Sequence, residues 1–193
     1  MPKRVFIVHG WDGSPEEGWF PWLKKNLTDR GFKPRILEMP NPGEPIIKDW
    51  VSCIANAVGA IDNQTYFVGH SIGCQAILRY LAGISQDVQA RGAVFVGGWI
   101  EVSGLETEEE RRIAQPWLTT KIDFWKVRQH ARRFSAIFSD NDKFVPLSNR
   151  EIFKKELGAK IITEHNKGHF SGSDGTTELP NALEEVFQMQ FME

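Results

Sequence analysis

Thr65-Tyr66-Phe67-Val68-Gly69-His70-Ser71-Ile72-Gly73 reads as an apolar strand that runs into a Gly-x-Ser-x-Gly turn, and the pattern from Cys74 to Leu81 continues as a helix. A serine between two glycines at such a junction has a mechanical meaning. The turn is so tight that only glycines leave room on either side. It presents the hydroxyl at the carboxyl edge of a parallel sheet, with the helix N-terminus directly beneath it. Ser71 is therefore the candidate nucleophile, and the rest of the chain has to supply its partners.

Outward from this turn, strand and helix patterns alternate. Val5–Val8 reads as the first strand. Ser14-Pro15-Glu16-Glu17 carries a helix-start signal, with Ser14 as cap, proline at the first helical position and Glu17 closing a capping box. That helix is expected to reach Arg30 and stop at Gly31. Phe32–Glu38 reads as a second strand, whose Pro34 points to an edge position. After the breaker-rich Met39–Pro45, a helix is expected over Ile46–Ile61, with Ile47, Trp50, Val51, Ile54 and Val58 at helical spacing. Ala93–Val96 is wholly apolar, as suits a central parallel strand covered on both faces. Phe134–Phe138 and Lys160–Thr163 complete six strands, with helices expected over Ser148–Leu157 and Leu179–Met189. Alternation of this kind predicts a three-layer α/β fold, a mainly parallel sheet of about six strands with helices on both faces. Residues 1–193 read as a single domain, without repeats or a low-complexity linker. Residues 99–133 form a longer connection, expected as a solvated excursion or a small, minimal cap, in which Trp99, Trp117 and Trp125 are candidate substrate-binding residues.

Bulk properties narrow the class. The 193 residues carry 23 basic and 25 acidic side chains, so no charge imbalance calls for nucleic acid. The apolar run after Met1-Pro2-Lys3-Arg4 is too short for a signal peptide or a membrane span. Cys53 and Cys74 lack metal-ligand spacing and read as free thiols in a reducing cytoplasm.

A serine hydroxyl needs a neutral imidazole to take its proton and an acid to orient that imidazole. In sheet proteins of this kind the partners follow in the order Ser, acid, His, on loops after later strands. The last strand leads to Asn166-Lys167-Gly168-His169-Phe170, so His169 is the candidate base, ahead of His9, His70, His130 and His165. The acid belongs in Ser139-Asp140-Asn141-Asp142-Lys143-Phe144-Val145-Pro146. Asp142 lies farther into the loop and is chosen over Asp140, which suits a turn or cap, and over Asp174, which follows the histidine. The oxyanion of a tetrahedral intermediate requires two donors. The backbone N–H of Ile72 and that of Trp11, in His9-Gly10-Trp11-Asp12-Gly13, are the candidates.

Val8-His9-Gly10, Gly69-His70-Ser71-Ile72-Gly73, Asp142 with Val145-Pro146, and Gly168-His169-Phe170 together resemble the α/β-hydrolase superfamily. Chain length, the Trp-rich first loop and Ser-Asp-Asn-Asp-Lys-Phe-Val-Pro resemble its small YdeN-type branch, which includes the retinoblastoma-binding-protein serine hydrolases. The resemblance implies that fold, the triad Ser71, Asp142 and His169, and neither metal nor organic cofactor. The expected partner is a small-molecule ester or acyl substrate met by a monomer or weak homodimer, with no nucleic acid or membrane. The alternative is a binding member of the same fold that holds a protein partner; retention of every triad position favours the enzyme.

Overall fold

The computed structural model describes residues 2–191. Its centre is a six-stranded, all-parallel sheet: β1 (Arg4–Val8), β2 (Lys33–Leu37), β3 (Thr65–His70), β4 (Gly92–Val96), β5 (Phe134–Ser139) and β6 (Lys160–Glu164), in the order β2-β1-β3-β4-β5-β6. Strand periodicity of two divides each strand between two apolar layers. Val5, Ile7, Tyr66, Val68, Val94, Val96 and Ile137 meet α1 (Phe20–Asp29) and α7 (Pro180–Met189). Phe6, Val8, Phe67, Ala93, Phe95, Ala136 and Phe138 meet α2 (Ile47–Val58), α3 (Ile72–Ala82), α5 (Phe124–His130) and α6 (Ser148–Leu157). The helix after the Gly-x-Ser-x-Gly turn, α3, is buried throughout Ile72–Leu81, which makes it the least displaceable element of the fold. As Pro34 implied, β2 is an edge strand that pairs only with β1.

This strand order makes the site. From β1 the chain crosses to β2 on one side, and then to β3 on the other, with α1 and α3 on opposite faces of the sheet. The loops leaving β1 and β3 therefore diverge, and the crevice between them lies at the carboxyl ends of the strands, where open α/β sheets bind ligands.

One expectation needs correction. Residues 14–19 form turns, not the start of a helix, and α1 begins at Phe20. Gly18 has φ +54° and packs on the backbone of Gly172 and Thr176, while buried Trp19 donates its indole N–H to Phe170 O at 3.0 Å. Tertiary burial of Trp19 thus overrides the local capping signal. A capping box does form at the head of α4 (Glu108–Thr119): Thr107 Oγ1 accepts the Glu110 N–H, and the Glu110 carboxylate accepts the Thr107 N–H. Within residues 99–133, α4 and α5 are the helical elements. No helix among the described residues is long and apolar enough to cross a membrane.

Candidate active site

Ser71 occupies the turn between β3 and α3 with φ 52° and ψ −123°, a conformation that ordinary side chains rarely adopt. The flanking glycines are required by space, not by their own dihedrals. A Cβ on Gly69 would lie 2.9 Å from the Cys74 backbone, and one on Gly73 would lie 2.5 Å from His9 O and 2.6 Å from Val8 O. Close approach of α3 to the end of β1 is what forces the strained serine outward. Gly73→Ala is expected to destabilise the fold by about 3 kcal/mol, because the obstructing atoms are backbone and cannot swing away; urea unfolding measures it, and a loss within error would mean that α3 can shift.

The loops after β5 and β6 bring two further side chains to the serine. His169 Nε2 lies 2.8 Å from Ser71 Oγ, and His169 Nδ1 lies 2.8 Å from Asp142 Oδ2. The other carboxylate oxygen, Asp142 Oδ1, accepts the N–H groups of Phe144 and Val145 at 2.9 and 3.1 Å, so the carboxylate is fixed in the plane it presents to the imidazole. Its side chain is 2% exposed and that of His169 17% exposed, so the pair is shielded from water while the imidazole edge still reaches the cavity.

The residues considered as alternatives hold this geometry in place. Four consecutive residues stitch the β5 loop to the β6 loop. Ser139 Oγ accepts the Lys167 N–H at 3.0 Å, Asp140 Oδ1 the Asn166 N–H at 2.9 Å, and Asn141 Oδ1 the Gly168 N–H at 2.8 Å; Asp142 then meets His169. Asp140 Oδ2 is 2.6 Å from His165 Nδ1, and the Asn166 N–H, then His165, hold the Asp140 carboxyl below its ordinary range. Asp174 Oδ2 accepts the N–H groups of His169 and Ser171, at 2.9 and 3.1 Å. Burial alone would raise the Asp174 carboxyl, but bonds from Ser171 and His169 bring it below its ordinary range.

His70, beside Ser71, turns its Nε2 to the main chain of His169 and not to the Ser71 hydroxyl. Its Nε2–H donates to His169 O at 2.7 Å, and its ring packs against Trp19, Phe20 and His169. Burial, then the neighbouring His169, lower it to about 3, so it stays neutral and holds the main chain of His169. Between the ordinary histidine value and the folded one, the unfolded chain binds a proton that the folded chain refuses, so stability falls as pH drops through that window and is unaffected above it. One such group contributes about 1.4 kcal/mol per pH unit there. His70→Gln, which keeps a donor, is expected to flatten the decline of unfolding free energy measured by urea between pH 6 and 4. An unchanged slope would show that the proton is taken up elsewhere.

On the far side of Ser71, the loop after β1 is tied down by His9. Its Nδ1–H donates to Gly10 O at 2.8 Å, and its Nε2 accepts the Met39 N–H at 3.2 Å. The Asp12 N–H reaches Pro42 O and the Trp11 indole reaches Gly43 O, so the breaker-rich 39–45 stretch serves as a backing for this loop. The backbone N–H groups of Trp11 and Ile72 have no protein acceptor among the described residues.

Ser71 and His169 open into a cavity of about 540 Å³. Trp99, Val102 and Leu105 after β4, Ile113 and Ala114 of α4, and Phe144 form its apolar wall. Of the three candidate tryptophans, only Trp99 reaches it. Trp117 is buried beneath α4, packed edge-on to Trp50, with its indole N–H on Pro45 O. Trp125 is 62% exposed on α5 and lines no part of the cavity. The phase of α4 turns Ile113 and Ala114, rather than Trp117, to the cavity. Among the described residues no cluster of His, Cys, Asp and Glu suits a metal ion.

A parallel sheet with this strand order and a serine at this junction defines the α/β-hydrolase class, and solved structures of that class superpose on it. Est1E from Butyrivibrio proteoclasticus matches with a TM-score of 0.75 at 17% identity, covering 99% of this chain and 89% of that one. The ydeN gene product of Bacillus subtilis matches with a TM-score of 0.90 at 29% identity over 98% of this chain and 100% of that one. In sequence, YdeN of Bacillus subtilis (strain 168) is 33% identical over 180 residues, 93% of this chain and 92% of its own. Serine hydrolase RBBP9 of Rattus norvegicus is 25% identical over 179 residues, 90% of each. The serine hydrolase family model matches residues 5–188, and the chain belongs to that family.

Proposed function

We propose that this hydrolase cleaves carboxylic esters through an acyl-enzyme, with Ser71 as nucleophile, His169 as base and Asp142 as the acid that orients it. The observation that carries this reading is the unbroken line Asp142 Oδ2–His169 Nδ1 and His169 Nε2–Ser71 Oγ, each contact 2.8 Å, at the wall of a cavity. With Nδ1–H donated to Asp142, the His169 Nε2 lone pair faces the hydroxyl and takes its proton as Oγ adds to the ester carbonyl. The imidazolium formed, stabilised by Asp142, returns that proton to the departing alcohol. Water then enters, loses its proton to the same nitrogen and releases the acid, restoring Ser71.

The oxyanion is assigned to the N–H groups of Ile72 and Trp11. In a trans peptide the carbonyl and the following N–H point in opposite directions. Gly10 O is pinned by His9 Nδ1 and by the Gly13 N–H, and this fixes the direction of the Trp11 N–H. His9 is thus a positioning residue for the donor. For the substrate, the apolar wall and volume suit a short or aromatic acyl group; a structure of Est1E is described with ferulic acid bound, an aromatic acid. Asp12, Glu17, Glu109 and Glu110 line the cavity and among the described residues no Lys or Arg does, which favours an uncharged acyl group over an anionic one.

A fluorophosphonate probe is expected to modify the protein at Ser71, located by peptide mass spectrometry, and p-nitrophenyl ester turnover is expected to fall as the acyl chain lengthens from short to long. A folded protein that takes no label refutes the nucleophile; turnover that peaks at long chains refutes the acyl preference alone.

A further inference from the structure

A second cavity, about 400 Å³ and open to solvent, lies where α2, the end of α3 and the turn between α4 and α5 meet. It shares no residue with the cavity around Ser71. Ile47, Val51, Ala82 and Ile122 make it apolar on its walls, while Lys48, Arg79 and Lys121 bring three cations to it. Asp123 is its one carboxylate, and Asp123 Oδ1 is engaged by the Lys126 N–H at the head of α5.

Arg79 is the unusual member. It is 9% exposed, yet it has no carboxylate partner among the described residues. Its Nη2 donates to Gln75 Oε1 and to the carbonyls of Trp117 and Thr120, each at 2.8 Å. The Nε–H is buried without an acceptor, and Nη1 bonds to no protein atom among the described residues. Burial lowers the guanidinium to about 10, and no acidic neighbour offsets that. The carbonyls at the end of α4 give partial compensation through the helix dipole. Buried charges are otherwise paired, since desolvation costs several kcal/mol per ion. Here the missing partner is an anion, and the guanidinium that lacks it lines an open cleft.

We propose that this cleft binds a small carboxylate with a short apolar tail, the carboxylate between Arg79, Lys48 and Lys121 and the tail along Ile47, Val51, Ala82 and Ile122. The apolar walls favour such a molecule over inorganic phosphate, and the Gly83 N–H, which could have contributed to a phosphate cradle, is engaged by the Arg79 and Tyr80 carbonyls. The site is independent of the chemistry assigned to Ser71 and stands or falls without it.

The test is an NMR titration of ¹⁵N-labelled Ser71→Ala protein with hexanoate, with hexanol and inorganic phosphate run in parallel. Hexanoate is expected to shift the amides of Lys48, Ser52, Gly83 and Ile122 saturably. Hexanol and phosphate should bind at least about tenfold more weakly, the loss of roughly one charge-assisted contact. Lys48→Gln combined with Lys121→Gln, both on the rim, should weaken hexanoate by a similar factor while leaving the fold intact. Absence of saturable shifts at these amides, shifts confined to the Gly10–Gly13 loop, equal binding of hexanol, tighter binding of phosphate, or an unchanged affinity in the double variant would each overturn the proposal.

Discussion

Ser71→Ala is expected to lower ester turnover by a factor on the order of 10⁶, with the fold retained. The hydroxyl is the only atom removed, and alanine meets the same backbone demand at φ 52° as serine does. His169→Ala should cost about as much, because neither residue acts without the other: the hydroxyl needs a base, and without the hydroxyl no acyl-enzyme forms for the base to deacylate. For the same reason the double replacement should be barely worse than either alone. Steady-state turnover of a short p-nitrophenyl ester, with circular dichroism to establish folding, decides this. Substantial turnover by Ser71→Ala would remove the acyl-enzyme from the proposed route.

Asp142→Asn is expected to lower kcat by about 10⁴-fold, while Asp140→Asn changes it by no more than about threefold. The two residues are two positions apart and both touch a histidine, yet their bonds differ in kind. Asparagine at position 142 can still accept the Phe144 and Val145 N–H groups through its oxygen. Its amide then faces His169 Nδ1 as a donor, so that nitrogen must accept and the proton moves to Nε2. The imidazole would offer Ser71 a hydrogen where it should offer a lone pair. Asparagine at position 140 keeps the bond from the Asn166 N–H and gives up an exposed contact with His165. If Asp140→Asn alone abolished turnover in a folded protein, the acid would have been assigned to the wrong residue.

Much of this was legible in the sequence because it is local. The Gly-x-Ser-x-Gly junction states its own steric requirement, and loop order after β5 and β6 pointed to Asp142 and His169, which the structure places in one line with Ser71. The remainder depends on partners remote in sequence. Ser139, Asp140 and Asn141 look like ordinary turn residues until the β6 loop arrives to donate its N–H groups. His9 and His70 look like spare histidines until Gly10 O and His169 O lie next to them. Ser14-x-x-Glu17 and Thr107-x-x-Glu110 offer the same helix-start signal. One is suppressed by the burial of Trp19 and the other is realised at an exposed helix end, a difference that no short window contains. The placement of Trp117 and Trp125 likewise turned on the phase and seating of α4 and α5, which the sequence around them leaves open.

The attachment of α4 has a consequence for how this protein could change. Its helix contributes a wall of the cavity, but it lies outside the strand ladders, and its bonds to the body run through the Trp117 indole, the Arg79 guanidinium and an exposed Arg112–Glu44 pair. Ser71, Asp142 and His169, by contrast, are carried on the turns and loops that leave β3, β5 and β6. On the proposed route, selectivity and chemistry would therefore fall to different parts of the fold. A graft exchanging α4 alone for that of a relative, with Trp117 and its contact to Arg79 retained, is expected to alter which acyl groups are admitted and to leave Gly97 and Ser103, which pack on His169 and the Asp142 loop, in place.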